Sequence, residues 1–504
     1  MNTSSQAAQK KPLFGIADLK KLIPMSIMIF CICFNHTILR NLKDAFVVTG
    51  TESGAAVIPF IKVWGLLPGA ILSTVIFTYL TNHFSRKTVF NTMVLGFLLF
   101  FCFFAFWLYP HREALLPDRL ANWLESCLPM GFRAFVDMIR HWPFTLFYVM
   151  AEVWGSIVLA VLFWGFANEI TSLEEAPRFY SVFSIVSCIV PVVSGFMAAR
   201  FSKAAFDPSF FVGTTAWEQS LVKIIILVVA SGILTLFCFN WLTSHGLDTS
   251  QQRFESHSPK EEKKHLGFLE SVAFLAKSKY LLCIAVMVLG YNLVISVVEI
   301  IWKDQLHNCF STGAEYNLYV SKVTMVQGLF SFSFAFLLYF VIKKWGWTKT
   351  ALITPFVLFI TSVMFFACIT GKESLSGVIT LFGTSPLALA VFIGAAQNSF
   401  SRAAKYSFFD TTKEMAFIPL DKEMKLKGKA AIDGVGSRLG KSLGSCLHQG
   451  LYLIFCSVSA SVPYVSVLLL AVIIFWLIAA SSLGKQFEQI KQTPLTADGQ
   501  LVTG

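Results

Sequence analysis

Apolar runs of about twenty residues recur along this chain, separated by short polar stretches, from residue 22 to residue 482. Six fall at 22–42, 56–81, 88–109, 143–168, 179–201 and 219–243. A polar stretch containing SQQRFESHSPKEEKKH follows, and six more runs occupy 280–302, 321–343, 350–370, 386–406, 431–457 and 462–482. A helix of about 20 residues crosses the hydrocarbon core of a bilayer, so each run reads as a membrane span. Two sets of six around a charged connection predict an all-α membrane protein of about twelve transmembrane helices. These would form two six-helix bundles of the major-facilitator kind. The organisation expected is an N-terminal segment over 1–21, a first bundle over 22–243 and a linker over 244–269. A second bundle over 270–484 and a tail over 485–504 complete it.

Composition supports this reading and excludes a soluble domain. Of 504 residues 55% are hydrophobic and 14% charged, against about 25% charged in soluble domains. The formal net charge is +11. In a soluble protein that surplus would suggest nucleic acid; here basic residues gather in alternate connections, as orientation in a membrane requires. Arg86 and Lys87, Lys260 to Lys264, Lys343 to Lys349 and Lys413 to Lys427 all fall on even-numbered connections. Both termini are therefore expected in the cytoplasm. The eleven cysteines are scattered, as Cys31, Cys33, Cys188 and Cys283 illustrate, and form no C-x-x-C pair. Neither a metal site nor a disulfide framework is predicted. The first 21 residues read as neither a cleaved signal nor a transit peptide.

Ionisable residues inside spans cost at least about 2.5 kcal/mol at the bilayer centre, so they face partners or an aqueous cavity. The informative positions are Lys62 in span two, Glu152 in span four and Glu299 in span seven. Arg402 ends span ten, and Asp433, Arg438 and Lys441 open span eleven. Arg40 and Lys43 border span one. Glu299 and Lys303, four apart, can pair on one helix; Lys405, Lys427 and Lys429 can anchor at the interface. Glu152 has no basic residue within four positions, so its partner must come from another helix or from substrate. Cations outnumber acids in the spans, which points to an anionic substrate, and lysine and arginine both suit phosphate. The glycines of span eleven permit close approach of a ligand or a neighbouring helix.

The stretch GVGSRLGKS imitates the phosphate loop G-x-x-x-x-G-K-[ST]. One residue too many separates Gly434 from Gly440, Val435 stands where the glycine is required, and no soluble nucleotide domain accompanies it. ATP is not expected as a fuel hydrolysed by this chain, and no enzyme motif such as H-E-x-x-H is present.

Six stretches carry a resemblance over nearly the whole length: FNHTILRNLKDAFVVT, IPFIKVW, FYVMAEVWGSIVLAVLFWGFAN, VISVVEIIWK, AAQNSFSRAAKYSFFDTTKEMAFIPLD and KGKAAIDGVGSRLGKS. In these the chain resembles the ATP:ADP antiporter family, the nucleotide transporters of plastids and obligate intracellular bacteria. The resemblance implies exchange of external ATP for internal ADP with phosphate, in the inner membrane of an intracellular bacterium, as a chlamydia-like member. It places the four charged residues that the family uses in transport on Lys62, Glu152, Glu299 and Lys441. The reading that follows puts phosphates on Lys62 and Lys441, assisted by Arg40, Arg402 or Arg438. Glu152, Glu299 and Asp433 would couple charge or contact the nucleoside, and Phe60, Trp64 or Phe166 would stack on the base. No cofactor, no metal and no nucleic acid are expected, the carrier is expected to be a monomer in the bilayer, and proton-coupled nucleotide import is the alternative. Ser437 and Arg438 depart from the plastid pattern, which leaves nucleotide preference open.

Overall fold

The computed structural model describes residues 16–172, 175–246, 278–371, 383–420, 422–429, 431–432 and 437–492. Among these the regular elements are all helical. The N-terminal half contains α1 (Ile16–Gly50), α2 (Gly54–His83), α3 (Arg86–Leu108), α4 (Asp118–Cys127), α5 (Arg133–Arg140), α6 (Trp142–Ile170), α7 (Ala176–Ser202) and α8 (Ala216–Trp241). The C-terminal half contains α9 (Lys279–Cys309), α10 (Gly313–Thr370), α11 (Pro386–Ala404), α12 (Lys422–Lys429), α13 (Ser437–Phe455) and α14 (Val458–Gln492).

The helix starts are written in the sequence. Ser85, Thr215, Ser278, Thr312 and Ser385 each stand before a helix and accept a hydrogen bond from the backbone N–H three residues on. These hydroxyls satisfy donors that the first turn cannot pair internally.

Nine helices among the described residues are long and apolar enough to cross a membrane: α1, α2, α3, α6 to α10 and α14. The 58 residues of α10 would extend about 87 Å as one straight helix, far beyond a bilayer. The helix is broken at Gly346, whose φ of 73° and ψ of −179° suit only glycine. This break falls between the predicted spans 321–343 and 350–370, just after Lys343 and Lys344. The predicted tenth and eleventh spans coincide with α11 and α13, which are not among the nine.

One expected boundary changes. Helix α1 runs on to Gly50, eight residues past the predicted end of span one, because Lys43 and Asp44 are buried in it and paired. The connection between the third and fourth spans holds α4 and α5. Most of the predicted linker, from residue 247 onward, lies outside the described residues.

Helix α1 packs on α6, α7 and α8, while α9 packs on α11, α13 and α14. The halves meet chiefly where α7 lies along α10. A Cβ at Gly195 would sit 2.6 Å from Ser321 O, and one at Gly328 would sit 2.8 Å from Val192. Small residues at these two points let the backbones approach. The turns after α1, α3, α7, α9 and α13 gather at one end of the bundle, here the distal end. There the halves are in close contact: His307 Nδ1 donates to Val48 O at 2.6 Å, Gly131 abuts the backbone of Leu453, and Trp217 covers Gly313. At the opposite, proximal end, ion pairs such as Lys21–Glu175, Arg178–Asp18 and Lys429–Glu414 run within one half.

Candidate functional site

The charged residues flagged in separate spans converge at one depth. Arg40, Glu152 and Glu299 each lie ten residues from the distal end of their helices, α1, α6 and α9. At 1.5 Å per residue this is about 15 Å, the middle of a hydrocarbon core of about 30 Å.

A continuous chain of ion pairs connects them. Glu152 binds Lys43 Nζ at 3.0 Å, and Lys43 binds Asp44 at 3.0 Å. Asp44 reaches across to Lys303 of the other half at 2.8 Å. Lys303 binds Glu299 at 3.0 Å, and Glu299 binds Arg402 at 2.9 Å. Lys43, Asp44 and Lys303 are almost fully buried, whereas Glu152, Glu299 and Arg402 keep part of their surface open. The ammonium of Lys43 also lies 3.7 Å from the centre of the Tyr148 ring, a favourable cation–π contact. Buried charges persist only when paired in this way.

Two further cations face the chain without joining it. Among the described residues, no carboxylate lies within ion-pairing distance of Lys62 or Arg40. Lys62 is within electrostatic reach of Glu299, Lys303, Lys43 and Glu152, drawn from α1, α6 and α9, and so points between the halves. Arg40 is within reach of Arg402, Tyr406, Glu299 and Asp44. Both are partly open. Among the described residues, five cations (Arg40, Lys43, Lys62, Lys303, Arg402) thus share the layer with three carboxylates (Asp44, Glu152, Glu299), a surplus of two positive charges.

Wide π-helical turns bracket this layer. Ile61–Leu66 contains Lys62, Gly155–Phe163 begins three residues after Glu152, and Lys405–Phe409 begins three residues after Arg402. Such turns recur where function requires a helix to depart from regular bonding. Just before the first, Pro59 has no N–H to give, and its carbonyl accepts from Gln449 Nε2 of α13 at 2.8 Å. That bond fastens the Lys62 segment to the C-terminal half.

Other expectations fall elsewhere. Phe60 is buried against Phe135 and Tyr452, and Trp64 meets Phe135 edge-on while 60% of its surface is exposed. Phe166 lies under Arg86 and against Phe239, fourteen residues past Glu152 on α6, about 20 Å towards the proximal end. Phe60 and Trp64 flank Lys62 and pack on Phe135, whereas Phe166 lies away from the charge layer. Arg438 and Lys441 lie on α13, but their side chains, like Asp433 as a whole, are outside the described residues. Of the span-eleven glycines, Gly440 and Gly444 press against Asn292 and Ser296 of α9, which is the packing role. Lys405 pairs with Asp410 at 3.0 Å and Lys429 with Glu414 at 2.5 Å. Asp44 escapes a reading by hydropathy because it stands beyond the predicted end of span one. Leu42, Ala45 and Phe46, which carry the buried face onward, were the available signal.

The model of the TLC ATP/ADP transporter family matches residues 2–487. The chain belongs to this family. Its curated relatives include ADP,ATP carrier protein 1 of Chlamydia muridarum, 40% identical over 474 residues, or 93% of this chain and 89% of that protein. The chloroplastic ADP,ATP carrier protein 2 of Arabidopsis thaliana is 40% identical over 97% of this chain and 78% of that protein. Solved structures similar in fold include a bacterial homologue of the iron transporter ferroportin in its inward-facing state. Its TM-score is 0.58 at 11% identity, over 93% of this chain and 99% of that one. A D-xylose-proton symporter gives a TM-score of 0.53 at 13% identity, over 93% of this chain and 97% of that one. The family member described here therefore shares the overall fold of these solved proteins.

Proposed function

We propose that this chain exchanges external ATP for internal ADP, with phosphate, by alternating access in a bacterial inner membrane, as a monomer with both termini in the cytoplasm. The observation that carries the reading is a pair of cations, Lys62 and Arg40, with no carboxylate partner among the described residues, held at mid-membrane beside an ion-pair chain that joins the halves. A polyphosphate supplies the negative charge that this layer lacks. Lys62, Arg40 and Arg402 take the phosphates, with Lys441 joining from α13.

With both termini inside, the distal end is the outer face, and its cross-half contacts belong to a state closed to the outside. Entry of ATP from outside requires those contacts to open, including Asp44–Lys303. Without a nucleotide the surplus cations face each other uncompensated, so the empty carrier reorients poorly and exchange is favoured over net flux. Glu152 and Glu299 are already engaged by cations, and protonating either would cost an ion pair. This favours exchange over proton coupling.

The deciding experiment is uptake of labelled ATP into proteoliposomes of the purified protein, with and without internal ADP. Uptake dependent on internal nucleotide is expected. Equal uptake into empty vesicles driven by a pH gradient would replace exchange with proton-coupled import.

A further inference from the structure

His36 is a polar side chain that the charge layer leaves unused. It lies on α1 four residues before Arg40, hence on the same face and about one turn, about 6 Å, nearer the proximal end. Its surroundings are those of the site: Arg40, Glu152, Lys43 and Arg402 are all within electrostatic reach. The ring rests on Gly155, where the π-helical turn of α6 begins. A Cβ there would lie 2.7 Å from His36 Cε1 and 2.8 Å from Nδ1. The missing side chain at 155 is what admits the imidazole. His36 Nδ1 is nonetheless buried without a hydrogen-bond partner among the described residues, an uncommon condition for a buried polar atom.

From this placement we infer that His36 hydrogen-bonds a ribose hydroxyl of the bound nucleotide and is a specificity-determining residue of the carrier. The inference rests on the nucleotide-transport reading above. Charge for the phosphates is already supplied by Lys62, Arg40 and Arg402. An imidazole adds one donor and one acceptor in fixed directions. A hydroxyl, itself donor and acceptor, can pair with either ring nitrogen. On a nucleoside triphosphate the hydroxyls belong to the sugar, the part of the molecule next to the phosphate chain, as His36 is the turn of α1 next to Arg40.

The test uses the full-length protein in detergent, with the melting temperature titrated against ATP, 2′-deoxy-ATP and 3′-deoxy-ATP. Wild type should bind ATP about three- to tenfold more tightly than at least one deoxy analogue, the scale of one uncharged hydrogen bond. His36→Phe, and Gly155→Ala through displacement of the ring, should weaken ATP and the analogue that keeps the bonded hydroxyl, leave the analogue lacking it unchanged, and bring that ratio to about one. His36→Gln, which keeps a donor and an acceptor, should retain part of it. A wild type indifferent to the hydroxyls, or variants that weaken all three nucleotides equally, overturns the inference while leaving nucleotide binding intact. Should no nucleotide raise the melting temperature of wild type, the transport reading itself fails, and this inference with it.

Discussion

Asp44 and Lys303 meet at 2.8 Å across the boundary between the halves, both nearly sealed from solvent. Each is the middle of a longer arrangement, since Asp44 also holds Lys43 and Lys303 also holds Glu299. The link between the halves and the ion pairs around the site are therefore one structure, and events at Glu152 or Glu299 reach the outer closure through two ammonium groups.

Removing one member of such a buried arrangement costs more than the arrangement contributes, because a charge is left without its partner. Asp44→Asn should lower stability by about 3 kcal/mol, seen as a drop in the melting temperature of the purified protein. The exchanged pair Asp44→Lys with Lys303→Asp should recover much less than full stability, because Lys43 and Glu299 then face like charges. Full recovery would show that the pair acts in isolation.

Lys62 differs from Arg402 in having no carboxylate partner among the described residues. Lys62→Gln should leave the melting temperature of the empty protein unchanged or higher. It should lower kcat/KM for ATP uptake at least about tenfold, the scale of a lost hydrogen bond to a charged group. Arg402→Gln should lower both, since it strips Glu299 of a partner. Wild-type uptake by Lys62→Gln would remove that lysine from the site.

The α7–α10 contact depends on the absence of a side chain. Gly195→Ala should destabilise by about 1–3 kcal/mol through overpacking against Ser321. Gly96→Ala, with nothing within 4 Å of the new methyl group, should instead be neutral or stabilising by about 0.5–1 kcal/mol, as alanine is preferred to glycine inside helices. Parallel thermal melts of the two variants provide the comparison.

Exchange of ATP for ADP alone moves roughly one charge near neutral pH, given a terminal phosphate ionisation near 6. That charge is worth about 2.3 kcal/mol per 100 mV. An imposed potassium diffusion potential should therefore change ATP uptake into vesicles loaded with ADP alone. With ADP and phosphate both inside, the response should shrink. An identical response in both cases would exclude phosphate as a co-exchanged ion.

Much of this was legible without coordinates, for a definite reason. Lipid offers backbone groups no hydrogen bonds, so membrane spans must be helices, and about twenty apolar residues announce each one. The same intolerance makes Lys62, Glu152, Glu299 and Arg402 conspicuous wherever they fall. Fold class and the charged candidates follow from local composition alone. Pairing does not. That Glu152 takes Lys43, that Asp44 belongs inside the membrane, and that His36 Nδ1 has no hydrogen-bond partner among the described residues depend on which helices lie side by side, and residues more than a hundred positions apart decide it. The aromatic candidates show the limit most plainly. With 51 phenylalanines and no periodicity to single one out, only packing could reveal that Phe60 and Phe166 are core and that Trp64 lies largely exposed at the side of Phe135.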